Sequence, residues 1–217
     1  MFDQLNFTNA NGELLSFTKL QYSISDIRFY LADGDSITLD GTYHLIDIEN
    51  VASMSYALPD LATYLGTKDY KATFTGVGFN YGFDVTDNVS GAYTDLNELS
   101  WSWPDMIGGG YHQLKMEGRY VDAASQTVNY QFHNGSKTIN AAGDFEANYR
   151  HISLDQSSFD LSGPTTIEIK MNLASWFVTP NTWDLNTKYT MLMSNYAAQI
   201  MMTQNAGNVF SVGTISQ

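Results

Sequence analysis

The stretch LSFTKLQYSISDIRFY, residues 15–30, decides the fold class. Its apolar side chains recur mostly at every second position, which is the period of a β-strand that buries one face. The segment DGD at residues 33–35 then gives a turn signal, and strand-like sequence resumes and leads on to Tyr43–Asp47. This part of the chain therefore predicts a long antiparallel hairpin.

The remaining sequence repeats this pattern in shorter runs, and two segments depart from it. The segment 59–66, PDLATYLG, places Pro at a first helical turn and Gly at the stop, which predicts a short helix. Residues 189–204 carry apolar side chains at helical spacing and predict a C-terminal helix on the sheet. The prediction is an all-β, antiparallel β-sandwich that forms a single domain over residues 1–217. Further strands are predicted at residues 2–7, 70–83, 111–121, 127–132, 149–154 and 165–173.

The charge balance excludes two classes of partner. Ten Lys and Arg stand against 23 Asp and Glu, a formal net charge of −13, so phosphate backbones and anionic membrane faces would be repelled. We predict no nucleic-acid partner. We also predict no transmembrane segment, because no stretch approaches the roughly 18 apolar residues that a spanning helix needs. Only 15% of residues are charged, a balance typical of exported β proteins.

Few residue types remain that could carry chemistry. Cysteine is absent, so a metal would need His, Met, carboxylate or backbone ligands. The four histidines form no HExxH or HxH arrangement, and no GxSxG motif supports a hydrolase. We therefore predict a protein without catalytic turnover of its own.

The most informative segment is LSWSWPDMIGGGY, residues 99–111, followed by LKMEG at residues 114–118. In an extended chain, Trp101 and Trp103 lie on the same face. Taken alone, the pair indicates two core aromatics that close one end of a sandwich. The glycines between residues 108 and 110 are interpreted as a flexible turn, because no phosphate-loop Lys follows them.

This Trp-x-Trp, followed by Gly-Tyr and Lys-x-Glu-Gly, resembles the central signature of the MbnP-like family of bacterial copper-binding proteins, the methanobactin-partner type. Three further motifs resemble that family in the same order. They are YSISDI at residues 22–27, His133-Asn134-Gly135 as a His-x-Gly element, and Asn208-Val209-Phe210 as an Asn-x-Phe close.

The resemblance implies an exported, β-rich copper-binding protein, periplasmic or at the cell surface, or lipid-anchored in its full-length precursor. It also implies that a partner di-haem enzyme, or another envelope protein, meets the chain, and that Trp101 or Trp103 is oxidised to kynurenine. His133 is the best candidate ligand, since imidazole suits copper in either oxidation state. Met106 could supply a thioether, because Leu99 stands where family members often have Met. His44 is a further candidate, and a second histidine ligand stays unassigned.

Three alternatives remain open on the sequence. The first is a structural or interaction module of a bacterial envelope assembly that lost the metal. The second is a carbohydrate-binding β-sandwich that stacks sugars on Trp101, Trp103, Trp176 and Trp183. The third is a calcium-stabilised loop, whose oxygen ligands would come from Asp84, Asp87, Asn88, Asp95, Asn97 and Glu98.

Overall fold

The computed structural model describes residues 3–55, 57–64, 66, 72–160 and 164–217. The strands in these ranges form one eight-stranded sheet and two small two-stranded sheets. The strands are β1 (Phe7–Thr8), β2 (Leu14–Leu15), β3 (Lys19–Leu31), β4 (Ser36–Asp47), β5 (Thr73–Tyr81), β6 (His112–Val121), β7 (Thr127–Gly135), β8 (Lys137–Ile139), β9 (Phe145–Ala147), β10 (Arg150–Asp160), β11 (Thr166–Met171) and β12 (Phe210–Ser216). The α-helices are α1 (Leu61–Tyr64), α2 (Thr94–Glu98) and α3 (Tyr196–Ala206).

The long strand β3 organises the large sheet. It pairs with β4 along one edge, from Gln21 opposite Asp47 to Tyr30 opposite Ser36. Its other edge is shared, because residues 19–22 pair with β6 and residues 24–31 pair with β5. The predicted hairpin of β3 and β4 is therefore confirmed, and β3 joins the β6–β7 half of the sheet to the β5–β10 half.

A β-bulge in β3 lies just past the point where its partner changes, within the part paired with β5. The pairing with β4 slips between Ser25 and Ile27, and Asp26 between them has a φ of 48°. Aspartate tolerates this left-handed conformation better than most residues. A bulge bends a strand and increases its twist, which suits a strand that continues from one partner to the next.

The architecture agrees with the predicted all-β, antiparallel sandwich. A large apolar core draws on β3, β5, β6, β7 and β10, and it includes residues from the C-terminal part of the chain. The short helix predicted near residue 60 is confirmed as α1. The predicted strands at residues 2–7 and 70–83 begin at residues 2 and 70, which lie outside the described residues.

The predicted C-terminal helix is confirmed, but it begins at Tyr196 rather than at residue 189. Asn195 caps it, because the Asn195 Oδ1 accepts a hydrogen bond of 3.1 Å from the Ala198 N–H. Its buried residues include the polar Gln199, Thr203 and Asn205. Helix α3 therefore docks through hydrogen bonds as well as apolar packing. None of the helices in the described part of the chain has the length and apolar character needed to cross a bilayer.

Candidate metal site

A short antiparallel bridge brings the Trp-x-Trp motif against the start of β6. Ser102 pairs with Tyr111, the Trp103 N–H donates to the Gly110 carbonyl at 2.8 Å, and the His112 N–H donates to the Trp101 carbonyl at 2.9 Å. Side chains alternate across such a bridge, and opposite residues share a face. Trp101, Trp103 and His112 therefore lie on one side of it.

His112 is the centre of the aromatic contacts on that side. Its ring centroid lies 5.5 Å from the Trp101 indole, 4.9 Å from the Trp103 indole and 5.4 Å from the His133 imidazole. Trp101, Trp103 and His112 are all buried, and His133 is partly buried. We call these four residues the Trp–His cluster. His133 is thus linked to the two indoles through the ring of His112.

The pairing of β6 with β7 places His133 beside this group. His112 stands opposite Gly135, and a register shift follows before Leu114 pairs with Asn134. The Trp103 ring packs directly on Gly135, so closely that a Cβ added there would overlap the indole. Both the histidine and the glycine of the His-x-Gly motif therefore have a role in packing in this chain. Its histidine contacts His112, and its glycine leaves the room that Trp103 occupies.

His112 carries an unprotonated nitrogen in a buried position. Its Nδ1 lies 2.8 Å from the Trp101 carbonyl oxygen, which can only accept, so Nδ1 carries the proton in the neutral ring. The lone pair is then on Nε2, which is buried and has no hydrogen-bond partner. Burial lowers the pKa of His112 to about 3, and hydrogen bonding to the backbone of Trp101 and Ser102 opposes this only in part. The ring is therefore neutral near pH 7, the form that binds metals.

His133 is held in a matching state by Glu117. The His133 Nε2 lies 2.9 Å from the Glu117 Oε1, so Nε2–H donates to the carboxylate and leaves the lone pair on Nδ1. A carboxylate on the far nitrogen is the usual support of a metal-bound histidine. Burial lowers the pKa of His133, and the contact with Glu117 opposes that shift. Its side chain is 16% exposed, which gives the Trp–His cluster contact with solvent.

Lys115 covers the outer face of the cluster. Its Nζ lies 4.9 Å from the Trp101 ring centroid and donates to the Ser100 carbonyl at 2.8 Å. This is a cation–π arrangement. The Lys-x-Glu-Gly motif thus places its lysine against Trp101 and its glutamate against His133.

The structure places the other two predicted ligands outside these contacts. Met106 lies on a 3-10 turn, Asp105–Ile107, and it is 81% exposed. The next residue, Ile107, accepts a hydrogen bond from the Trp103 Nε1–H through its carbonyl. His44 lies on β4, where its Nε2 is 2.5 Å from the Ser53 carbonyl oxygen. Among the contacts of the described residues, neither side chain joins the Trp–His cluster, and both stay predictions as ligands.

His112 is the site residue that the sequence analysis missed. The signal was its position directly after Gly110-Tyr111, in register with the Trp-x-Trp motif. An antiparallel turn through the glycines at 108–110 places His112 opposite Trp101. Interpreting those glycines only as a flexible turn left the register unassigned.

The acidic loop distributes its predicted calcium ligands over several places. Asp84 and Asp87 meet Asp26, with carboxylate oxygens that all lie within 4.8 Å of one another. Burial and the two neighbouring carboxylates raise the pKa of Asp26. Arg28 lines the same groove of about 310 Å³ and opposes a cation there. Calcium stays a prediction, with Asp26 as a member that the sequence analysis did not select.

Three other predicted ligands of that loop, Asn88, Asp95 and Asn97, have protein partners. The Tyr43 hydroxyl donates to the Asp95 Oδ1 at 2.7 Å, and the Tyr111 hydroxyl donates to the Asn97 Oδ1 at 3.1 Å. The Asn88 Oδ1 accepts from the Tyr111 N–H at 2.9 Å. These bonds fix the loop that carries the Trp-x-Trp motif.

The four tryptophans give no platform for a sugar. Trp101, Trp103, Trp176 and Trp183 are each at most 2% exposed. Stacking on a carbohydrate needs an exposed aromatic face, so the support for the carbohydrate-binding alternative is lost.

The fold and the cluster together define a β-sandwich protein with a buried tryptophan–histidine site. The model of the MbnP family matches residues 2–202, so the chain belongs to the MbnP family. This confirms the resemblance found in the motifs, and at the level of the family it associates the chain with copper handling.

One solved structure of similar fold is MbnP from Methylosinus trichosporium. The two structures have a TM-score of 0.54 at 13% sequence identity, over 95% of this chain and 90% of that one. At this identity the likeness shows the fold alone. No curated protein sequence matches the chain.

Proposed function

We propose that the chain is an exported copper-binding protein, without catalytic turnover, that holds copper between His112 and His133. The observation that carries this proposal is the buried His112 Nε2, a lone pair without a hydrogen-bond partner beside a second imidazole. An unpaired buried nitrogen costs free energy unless a ligand satisfies it.

The donor chemistry supports copper. Two neutral imidazoles are good ligands for copper in either oxidation state. Metal–imidazole bonds are about 2 Å long, so the 5.4 Å between the ring centroids is a span that one ion could bridge. No carboxylate belongs to the Trp–His cluster itself, which disfavours the hard cations that prefer oxygen.

The indoles give the site its second proposed feature. Trp101 or Trp103 is the proposed target of oxidation to kynurenine by a partner di-haem enzyme. Both rings pack on the His112 imidazole, so the amine that this oxidation creates would form beside the proposed ligands. Intact mass of protein isolated from its native envelope tests this feature. A mass raised by one oxygen less one carbon supports it, and an unmodified mass contradicts it.

Copper binding itself is tested with three histidine variants. Wild type, His112→Gln, His133→Gln and the control His151→Gln, whose imidazole bonds to Tyr30 and Asn80, are loaded with Cu(I) or Cu(II) and analysed for bound metal and affinity. We expect wild type and His151→Gln to retain one copper. In His112→Gln and His133→Gln the copper affinity should fall by more than about 100-fold, which is the most that loss of a residue supporting a ligand usually costs. Equal losses in all three variants, or no copper on wild type, would contradict the proposal.

A folded wild-type protein that binds no copper would favour the structural or interaction module of an envelope assembly. Export and lipid anchoring belong to the same proposal, and cell fractionation of the native host checks them.

A further inference from the structure

Gln199, on the buried face of α3, is bonded to all three residues of the His-x-Gly motif. Its Nε2 donates to the His133 carbonyl at 2.8 Å. Its Oε1 accepts from the Asn134 Nδ2 at 2.8 Å and from the Gly135 N–H at 3.1 Å. Gln199 is fully buried, so these bonds form in an environment where an unpaired amide would be costly.

The same amide also ties the motif to the turn before the helix. The Gln199 Nε2 makes a second bond, of 3.0 Å, to the Leu192 carbonyl. Both of its amide protons and its oxygen are therefore used. One side chain thus fixes the strand that carries His133 relative to both α3 and the segment leading into it.

A second row of buried polar groups supports this arrangement. The Asn134 Oδ1 accepts from the Thr203 hydroxyl at 3.1 Å, from the Tyr81 hydroxyl at 3.3 Å and from the Gln113 amide. Gln113 lies next to His112, and Thr203 lies one helical turn after Gln199. A hydrogen-bond network therefore connects α3 to the strands on both sides of the Trp–His cluster.

We infer that Gln199 is a positioning residue of the copper site, a role that rests on the proposed function. Its side-chain hydrogen bonds go to backbone groups and to the Asn134 amide. It fixes the backbone of His133, whose ring meets His112, and of Gly135, on which Trp103 packs. Helix α3 is thus part of the support of the site, and a small shift of the strand at this point would move an imidazole and an indole together.

The chain offers a matched control on the same helix. Asn205 is also fully buried, and its Nδ2 donates to the Trp176 carbonyl at 2.8 Å and to the Asn181 carbonyl at 2.9 Å. These partners lie in the segment 176–181, away from the His-x-Gly motif. Loss of the Asn205 bonds tests what it costs to remove a buried amide from α3 without touching residues 133–135.

The experiment compares Gln199→Met with Asn205→Leu, two replacements of similar size that keep the volume and remove the hydrogen bonds. Gln199→Glu is a second variant, which keeps an acceptor for the Asn134 and Gly135 donors but places a carboxyl oxygen against the His133 and Leu192 carbonyls. Thermal unfolding first establishes that each variant folds. The imidazole and indole signals of the metal-free proteins are then measured by ¹⁵N NMR, and Cu(I) affinity is measured by competition with a chelator.

We expect both Leu and Met variants to lose stability, and only Gln199→Met to move the His133 and Trp103 signals. Copper affinity should fall about 10–100-fold in Gln199→Met, at least as much in Gln199→Glu, and by no more than about twofold in Asn205→Leu, as for independent sites. Unchanged signals in Gln199→Met, or equal shifts in both variants, would overturn the inference. If wild type binds no copper, the proposed function fails, while the metal-free NMR comparison still decides whether Gln199 positions the cluster.

Discussion

The protein contains two pairs of tryptophans with the same burial and different neighbours. Trp176 and Trp183 lie in the large apolar core, where Trp176 meets Tyr81 at 5.5 Å and Trp183 meets Phe132 at 4.8 Å between ring centroids. Trp101 and Trp103 are as deeply buried, but both pack on His112. Burial therefore does not identify the site. An imidazole with an unpaired nitrogen distinguishes the second pair from the first.

The two pairs also differ in how a lysine covers them. Lys115 lies 4.9 Å from the Trp101 centroid, whereas Lys188 lies 6.0 Å from the Trp183 centroid, at the outer limit of a cation–π contact. The Trp101 ring therefore has the closer cation–π contact of the two.

The largest expected effect is a loss of stability that distinguishes the tryptophans of the apolar core from those of the Trp–His cluster. Trp176→Ala removes a fully buried indole from the apolar core and should lower the free energy of unfolding by about 3–5 kcal/mol. It should leave the NMR signals of His112 in the metal-free folded protein in place, whereas Trp103→Ala should move them. Urea unfolding and ¹⁵N NMR are the measurements, and Trp176→Phe is the milder variant. Movement of the His112 signals in Trp176→Phe would remove the distinction between the pairs.

The second effect depends on the buried neutral His112. Its pKa is about 3 in the fold, against 6.5 for the free side chain, so the unfolded chain takes up a proton that the fold does not. This contribution to stability is complete above pH 6.5 and is lost as the pH falls towards 3, by about 1.4 kcal/mol per pH unit.

Urea unfolding between pH 6.5 and 5.0 measures this slope in the metal-free protein. His112→Gln should be less steep than wild type by that amount, because the carboxylates and the other histidines remain in both. The groups that face His112 are His133 and Lys115, and both are kept in the variant. Equal slopes would show that His112 is not neutral in the fold.

The smallest effect tests the two lysines. Lys115→Met should lower the free energy of unfolding by about 0.5–1 kcal/mol through loss of the cation–π contact. Lys188→Met should cost less, since its ammonium lies farther from the ring. Thermal unfolding of the pair measures the difference, and an equal or larger loss in Lys188→Met would contradict the shorter contact at Trp101.

Most of the strands and the hairpin of β3 and β4 could be predicted, because their information is local. The alternation in residues 15–30 and the turn at residues 33–35 follow from neighbouring residues. The order of the strands in the sheet could not, because it depends on pairing between distant segments. The predicted start of α3 was too early, because the apolar spacing extends into the turns before the helix. The helix itself begins after the Asn195 cap. Its polar buried face had no periodic signal, because Gln199 and Thr203 find partners on distant strands.

The site could be predicted only in part. Trp101, Trp103 and His133 were selected from their motifs, and the structure brings all three to one cluster. His112 and Asp26 were missed, because each is defined by a local irregularity, a glycine-rich turn in one case and a bulge in the other. Such irregularities set the direction of a side chain without changing the pattern of residue types.

The sequence by itself determined the β class of the chain, the acidic surface and the family motifs, because composition and period are properties of neighbouring residues. Only the tertiary structure decided that the His112 imidazole contacts both indoles. It also decided that the Gln199 amide bonds to the backbone of His133, the second histidine. Those contacts join residues far apart along the chain, from 112 to 133 and from 133 to 199, and their register is set by strand pairing and helix docking.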